Sequence, residues 1–130
     1  MKILVIDDAS FIFKAIKTIL EPYGVEIVGH AINGEVGLEM YEQYKPDIIT
    51  LDVNMPVMDG IETAKHLLGK NPLAKIIMIS LIDDDNIINE VKNIGVSYFL
   101  NKPFSESQLI NAINSILKQN KQKPLLLDCK

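Results

Sequence analysis

Hydrophobic runs of strand length alternate along the chain with longer amphipathic stretches, and the alternation repeats five times. This order is typical of an α/β domain whose helices cover both faces of a parallel sheet. The predicted strands are rich in Ile, Leu and Val, as expected for buried parallel strands, and span residues 2–6, 25–30, 47–51, 75–80 and 97–100. The predicted helices span about residues 10–20, 35–44, 61–68, 84–94 and 105–119.

Residues that cap or end helices stand at the predicted boundaries. Ser10 and Ser105 are suited to N-caps, Gly95 to the position after a helix end, and Pro22 and Pro46 to closing the helices before them. Right-handed crossovers then place all five strands in one parallel sheet, with their C-terminal ends at the same edge. The predicted fold class is α/β, a doubly wound five-stranded parallel sheet flanked by five helices, and ligands bind along that edge.

A change in composition after Gln119 indicates a C-terminal tail. The chain of 130 residues has the usual size of one domain, so we predict a domain over residues 1–119 and a tail over residues 120–130. The tail passes from a polar stretch into the three leucines 125–127. We expect either a frayed end or a strand-like hook that docks on the domain or on a neighbour.

Charge and cysteine content exclude several classes of function. The formal net charge is −4, and all 13 basic residues are lysine. Because arginine supplies the bidentate contacts to guanine and phosphate, we predict no direct binding of nucleic acid. No hydrophobic run approaches the roughly 20 residues that cross a bilayer, so we expect no membrane insertion. A single cysteine, Cys129, rules out an intrachain disulfide and favours a cytoplasmic location.

Chemically active side chains follow four of the five predicted strands, and the second strand is expected to contribute nothing. Asp7 and Asp8 follow the first strand, Asp52 the third, Ser80 ends the fourth, and Lys102 follows the fifth. Three facing carboxylates should all be ionised at neutral pH unless a positive charge compensates them. Such an all-oxygen site suits Mg²⁺ or Mn²⁺ better than zinc, and the lysine adds charge that can hold a phosphate oxygen.

These motifs, taken in order, resemble the response-regulator receiver domain. The residues that carry the resemblance are Asp7-Asp8, the run from Asp52 to Gly60, Ser80, and Lys102-Pro103-Phe104. The form is similar to the stand-alone, chemotaxis-type (CheY-like) members, and the resemblance covers about residues 1–119. It implies a flavodoxin-like sheet of strand order 2-1-3-4-5, in which the second strand lies at the edge of the sheet.

The resemblance also implies roles for individual residues. Asp52 would be the phosphoryl acceptor, and it would attack a phosphohistidine on a sensor histidine kinase or a phosphotransfer protein. Asp8, Asp52 and the backbone carbonyl of Asn54 would bind Mg²⁺ directly, with Asp7 acting through water. Lys102 would offset the charge of the phosphoryl oxygens.

A second set of implied roles concerns switching. Ser80 would donate a hydrogen bond to a phosphoryl oxygen, and the Lys102-Pro103 peptide would be cis. Phe99 falls where the family places its rotamer-switching aromatic, so a downstream protein target would bind helix 4, strand 5 and helix 5. Two departures affect this expectation, because Leu81 replaces a small residue and Phe99 lacks a tyrosine hydroxyl.

The leading interpretation is a two-component signal-transduction response regulator, a self-phosphorylating phosphoacceptor with autodephosphorylation left open, and not a turnover enzyme. One alternative is a Mg²⁺-dependent aspartyl-phosphate phosphatase, which needs a second carboxylate where this chain has Asn54. Another is the receiver fragment of a longer DNA-binding regulator. A flavodoxin-like FMN carrier is nearly excluded, because Asp7 and Asp8 would repel the FMN phosphate.

Overall fold

The computed structural model describes residues 1–81 and 84–126, and within them strands and helices alternate as the hydrophobic pattern predicts. The strands are β1 Lys2–Ile6, β2 Glu26–Ala31, β3 Ile48–Asp52, β4 Ile76–Ser80 and β5 Tyr98–Asn101. The helices are α1 Ser10–Leu20, α2 Gly34–Tyr44, α3 Gly60–Lys70, α4 Asp85–Asn93 and α5 Glu106–Gln119, with a 3₁₀ turn Glu21–Tyr23 after α1. Within this part of the chain, none of the helices combines the length and hydrophobicity needed to cross a membrane.

All strand pairs in the sheet are parallel, and the strand order is β2-β1-β3-β4-β5. This arrangement confirms the predicted fold class and strand order. The C-terminal ends of β1, β3, β4 and β5 therefore meet at one edge, and the register pairs Ile6 with Leu51, Asp52 with Ile79, and Ser80 with Asn101.

The sheet separates two hydrophobic clusters, because successive side chains of a strand point to opposite faces. In β1, Ile3 and Val5 lie in the cluster under α1 and α5, whereas Leu4 and Ile6 lie in the cluster under α2, α3 and α4. All four side chains are fully buried. Burial on both faces explains why the strands read as nearly continuous Ile, Leu and Val.

The helix boundaries agree with most of the expected caps and differ at α1. Ser105 caps α5 in a capping box with Gln108, and Gly95 lies just beyond α4 with φ of 103°. Ser10 is not an N-cap, because Ala9 occupies that position and Ser10 is already helical. The Asp7 carboxylate takes up the free backbone donor at this turn, since its Oδ1 accepts from the Ala9 N–H at 2.8 Å.

The described part of the tail turns back onto α5. Lys121 adopts a left-handed conformation with φ of 58°, and the Gln122 N–H donates to the Leu117 carbonyl at 2.8 Å, as in a Schellman ending. The Leu125 N–H then donates to Asn114 Oδ1 at 2.8 Å, and the Leu125 side chain packs against the cluster under α1 and α5. Cys129 lies outside the described residues.

Candidate functional site

The C-terminal edge of the sheet brings three carboxylates together. Asp7 and Asp8 follow β1, and Asp52 ends β3. One carboxylate oxygen from each lies within 4.8 Å of the others. Asp7 and Asp52 are buried and Asp8 is exposed. The neighbouring strand ends thus place the three acidic side chains as the sequence predicts, with one carboxylate open to solvent.

Lys102 lies between two of these carboxylates. Its Nζ is 2.9 Å from Asp7 Oδ2 and 3.4 Å from Asp52 Oδ1, and its side chain is only 10% exposed. The Lys102 N–H donates to the Ser80 carbonyl at 2.8 Å, and the Lys102-Pro103 peptide is cis. One ammonium group cannot neutralise three carboxylates, so the cleft keeps an excess of negative charge that favours a cation.

The Asp52 carboxyl lies in surroundings that raise its pKa. The pKa of this carboxyl is raised from 3.8 to about 6, first by burial and next by the nearby charge of Asp7. Lys102 and the Asn54 N–H, which lies 3.4 Å from Asp52 Oδ1, act in the opposite direction. The desolvated carboxylate is therefore poorly compensated by the protein alone, and a bound cation would relieve that cost.

The loop after β3 folds tightly back against the end of that strand. The Gly60 N–H donates to the Val53 carbonyl at 2.8 Å, and a Cβ at Gly60 would overlap the Asp52 carbonyl oxygen. Asp59 caps α3 by accepting from the Glu62 N–H at 2.8 Å. The glycine at the end of this motif is therefore needed because α3 begins directly against the backbone of Asp52.

β2 also reaches the site, which the sequence analysis did not anticipate. His30 Nε2 lies 2.7 Å from the carbonyl oxygen of Asp7, so the expectation that the second strand contributes nothing is wrong. The signal was present in the sequence, because His30 is the last residue of the predicted strand and so lies at the same edge. The contact itself could not be predicted, because the histidine binds a backbone oxygen and not a ligand.

The cleft beside Asp52 has a hydrophobic wall and a volume of about 340 Å³. Phe11 and Leu81 line it and are 70% and 74% exposed. Leu81 therefore borders the opening of this cleft. It is the bulky residue that the sequence analysis noted in place of a small one. The sequence analysis missed Phe11, although a large hydrophobic residue off the buried stripe of α1 was the available signal.

A larger cavity of about 610 Å³ lies at the opposite edge of the sheet, where Asp47, Asn71 and Leu73 are among the lining residues. Asp7, Asp8 and Asp52 are not among its lining residues. Within the described part of the chain, the grouping of acidic, histidine or cysteine side chains suited to a metal is that of Asp7, Asp8 and Asp52. Chemistry, and not cavity size, therefore marks the C-terminal edge as the candidate site.

Comparison with known families agrees with this arrangement. The family model described as the response regulator receiver domain matches residues 3–114. The chain belongs to the receiver-domain family. The chemotaxis protein CheY of Thermotoga maritima is 37% identical over 117 residues, which are 90% of this chain and 98% of that protein. The receiver fold is therefore matched over almost the whole of a stand-alone relative.

Two further relatives show the same domain in other settings. A protein-glutamate methylesterase/protein-glutamine glutaminase of Halalkalibacterium halodurans is 43% identical over 106 residues, which are 79% of this chain and 30% of that protein. A crystal structure of a CheX-CheY-BeF3-Mg complex from Borrelia burgdorferi superimposes with a TM-score of 0.87 at 28% identity, and covers 90% of this chain and 89% of that one.

In this receiver domain, Phe99 and Ser80 lie on neighbouring strands but in different surroundings. Ser80 is fully buried at the end of β4. Phe99 is partly buried and packs against the cluster under α2, α3 and α4. It also lines a groove of about 400 Å³ between α4 and β5, together with Ile88 and Lys92. Phe99 thus has hydrophobic packing on one side and an open groove on the other.

Proposed function

We propose that this receiver domain is a two-component response regulator that accepts a phosphoryl group on Asp52 and changes a partner-binding surface in response. The observation that carries the proposal is the buried Asp52 carboxylate, which lies between a lysine ammonium and two further carboxylates at one end of the sheet. In this proposal residues 1–119 form the receiver domain and residues 120–130 its tail. The donor is a phosphohistidine on a sensor histidine kinase or a phosphotransfer protein.

The transfer itself needs one new bond and one broken bond. A carboxylate oxygen of Asp52 bonds to phosphorus while the bond between phosphorus and the donor imidazole nitrogen breaks, and that nitrogen keeps the electron pair and takes up a proton. Because Lys102 Nζ lies 3.4 Å from Asp52 Oδ1, it is placed to bind a phosphoryl oxygen as charge spreads over the group. Ser80 would donate a hydrogen bond to another phosphoryl oxygen.

The acidic side chains fit Mg²⁺, because hard carboxylate oxygens are the ligands this ion prefers, and Mn²⁺ shares that preference. Asp8, Asp52 and the backbone carbonyl of Asn54 would hold the ion directly, and Asp7 would act through water. The bound ion would neutralise charge on the carboxylates and on the phosphoryl oxygens. The shortage of positive charge around the three carboxylates supports this assignment.

Labelling by a small phosphodonor tests the proposed function and its metal together. Acetyl phosphate should add one phosphoryl group to the protein when Mg²⁺ is present, and EDTA should prevent the addition. Asp8→Ala should raise the Mg²⁺ concentration for half-maximal labelling at least about tenfold, since metal sites lose that much when even an outer partner is removed. Intact-protein mass spectrometry measures the fraction labelled.

Glu39→Ala is the matched control for this experiment, because it removes an exposed carboxylate from α2. Its Mg²⁺ dependence should equal that of the unmodified protein. Labelling that proceeds equally well in EDTA would contradict the metal assignment, and a complete lack of labelling with acetyl phosphate and Mg²⁺ would contradict the phosphoacceptor assignment.

The switch part of the proposal concerns the surface of α4, β5 and α5. Phosphorylation would shift an equilibrium between two existing states, and a downstream protein would bind one of them. The bond from the Lys102 N–H to the Ser80 carbonyl ties the end of β4 to the segment after β5. This link supports the proposal, because movement of either residue toward a phosphoryl group would be transmitted to the strand that carries Phe99.

Lys102→Ala should separate phosphorylation from switching. The variant should keep part of its labelling at Asp52, since the lysine is not the nucleophile, but it should lose the response of α4, β5 and α5. Hydrogen exchange of residues 84–119 with and without beryllofluoride measures that response. Phe99→Ala should accept the phosphoryl group as fully as the unmodified protein but bind its partner with altered affinity. Lys14→Ala removes an exposed lysine from α1 as the control. Equal exchange with and without beryllofluoride in the unmodified protein would disprove the switch.

A further inference from the structure

The His30 side chain contacts the backbone between Asp7 and Asp8, which carry two of the three carboxylates. Its Nε2 lies 2.7 Å from the Asp7 carbonyl oxygen. A carbonyl oxygen can only accept a hydrogen bond, so Nε2 must carry the hydrogen and donate it. The histidine lies on β2, the edge strand beyond β1. The bond therefore ties the edge of the sheet to the turn between β1 and α1.

The accepting carbonyl belongs to the peptide group that joins Asp7 to Asp8. A peptide group is planar, so the position of its oxygen fixes the plane and hence the direction in which the next Cα lies. Other bonds hold Asp7 itself, because its N–H donates to the Ala31 carbonyl at 2.9 Å and its Oδ2 accepts from Lys102 Nζ at 2.9 Å. The bond from His30 holds the next peptide group along the chain, which joins Asp7 to the exposed Asp8.

The imidazole ring of His30 is itself held in place. It stacks on the Phe13 ring with the two centroids 4.5 Å apart and the planes inclined by 4°. Lys17 Nζ lies 6.0 Å from the centroid of the same Phe13 ring. Since Phe13 belongs to α1, which begins directly after the Asp7-Asp8 turn, the stacked rings and the hydrogen bond clamp that turn from both of its ends.

We propose that His30 is a positioning residue of the acidic cleft. Its Nε2–H fixes the peptide plane between Asp7 and Asp8, and its ring braces that plane against Phe13, so that the Asp8 carboxylate faces Asp52. The inference rests on the proposed function as far as the ion is Mg²⁺, but the positioning is a property of the protein without metal. His30 touches neither the ion nor the phosphoryl group in this role.

Two replacements separate the hydrogen bond from the ring. His30→Phe keeps an aromatic ring against Phe13 and removes the donor, whereas His30→Gln places an amide donor the same number of bonds from Cβ and removes the ring. His66→Phe is the matched control, because His66 is the other histidine of the chain and is exposed on α3. We expect His30→Phe to raise the Kd for Mg²⁺ about three- to tenfold, since outer partners of metal ligands often contribute tenfold or more.

Calorimetric titration with MgCl₂ measures these affinities. His30→Gln should bind Mg²⁺ more tightly than His30→Phe, because its amide restores the donor, but more weakly than the unmodified protein, because it lacks the ring that stacks on Phe13. His66→Phe should match the unmodified protein. A merely structural role would lower the melting temperature in both His30 variants and leave the Kd unchanged. An unchanged Kd in His30→Phe would therefore overturn the proposal.

Amide exchange without metal keeps the inference separate from the proposed function. In EDTA, His30→Phe should speed exchange at the Asp7 and Ala9 amides about tenfold while leaving the Ile49 amide of the sheet unchanged, since local opening is independent of global unfolding. If the unmodified protein failed to bind Mg²⁺, the metal assignment would fall and this exchange result would still decide the role of His30. Equal exchange at the Asp7 and Ala9 amides in both proteins would refute it.

Discussion

Replacing Asp52 with asparagine should abolish phosphorylation by acetyl phosphate in the presence of Mg²⁺. The amide has nearly the shape of the carboxylate but lacks the charged oxygen that attacks phosphorus, so the loss follows from chemistry and not from misfolding. The product on the unmodified protein should be acid-stable and base-labile, as expected for an acyl phosphate. Intact mass after a fixed incubation measures the effect.

Asp85→Asn provides the matched control, because it makes the same chemical change at an exposed carboxylate in the first turn of α4. It should label as fully as the unmodified protein. Labelling of Asp52→Asn to the same extent as the control would show that another residue accepts the phosphoryl group. Peptide mapping would then identify that residue.

The site could be predicted from the sequence because parallel strands deliver their C-terminal residues to one edge. Asp7, Asp52 and Lys102 are far apart in the chain, yet the alternation of strands and helices predicts that they share one edge, and the strand order implied by the resemblance makes them neighbours. The sequence analysis also predicted the helix bounds to within about two residues, since Gly95 and Ser105 act locally. These successes rest on periodicity and capping, which are properties of short segments, on the handedness of crossovers, and, for the strand order, on the resemblance to the receiver domain.

The remaining features depend on side-chain geometry that no periodicity specifies. The contact of His30 with the Asp7 carbonyl requires a particular ring orientation, and the Phe13 ring sets that orientation through stacking. Likewise, Ser10 is a good capping residue by type, but the helix already includes Ser10, and the N-cap position falls on Ala9, whose N–H donates to the Asp7 carboxylate. Both cases involve the turn after β1, where side chains form hydrogen bonds with the backbone of Asp7 and Ala9.

Without metal, the stability of this protein should fall as the pH rises through about 6. Burial raises the pKa of Asp52 to about 6 in the folded state, compared with 3.8 as its ordinary value. The folded state therefore binds the proton of Asp52 more tightly than the unfolded state. Burial of this carboxyl costs no free energy of folding below about pH 4, where it is protonated in both states, and it destabilises the folded state above about pH 6. The difference between the two pKa values corresponds to about 3 kcal/mol.

Asp52→Asn should remove this dependence, since an amide stays neutral at every pH. In EDTA at about pH 8, the variant should be more stable than the unmodified protein by up to about 3 kcal/mol, and the difference should shrink toward zero near pH 4. Urea unfolding at several pH values measures both free energies of unfolding. A difference that is constant with pH, or that grows as the pH falls, would show that the folded state does not disfavour the charged carboxylate.

Mg²⁺ should stabilise the unmodified protein much more than it stabilises Asp52→Asn, and so oppose the difference in stability between them. A ligand that binds only the folded state stabilises it by RT ln(1 + [L]/Kd), so Mg²⁺ should raise the stability of the unmodified protein at about pH 8. In Asp52→Asn the amide oxygen carries no net charge, and the same addition should have a much smaller effect. Since Lys102 alone leaves Asp52 poorly compensated, the cost of burying this carboxylate without metal is also the source of its affinity for a cation.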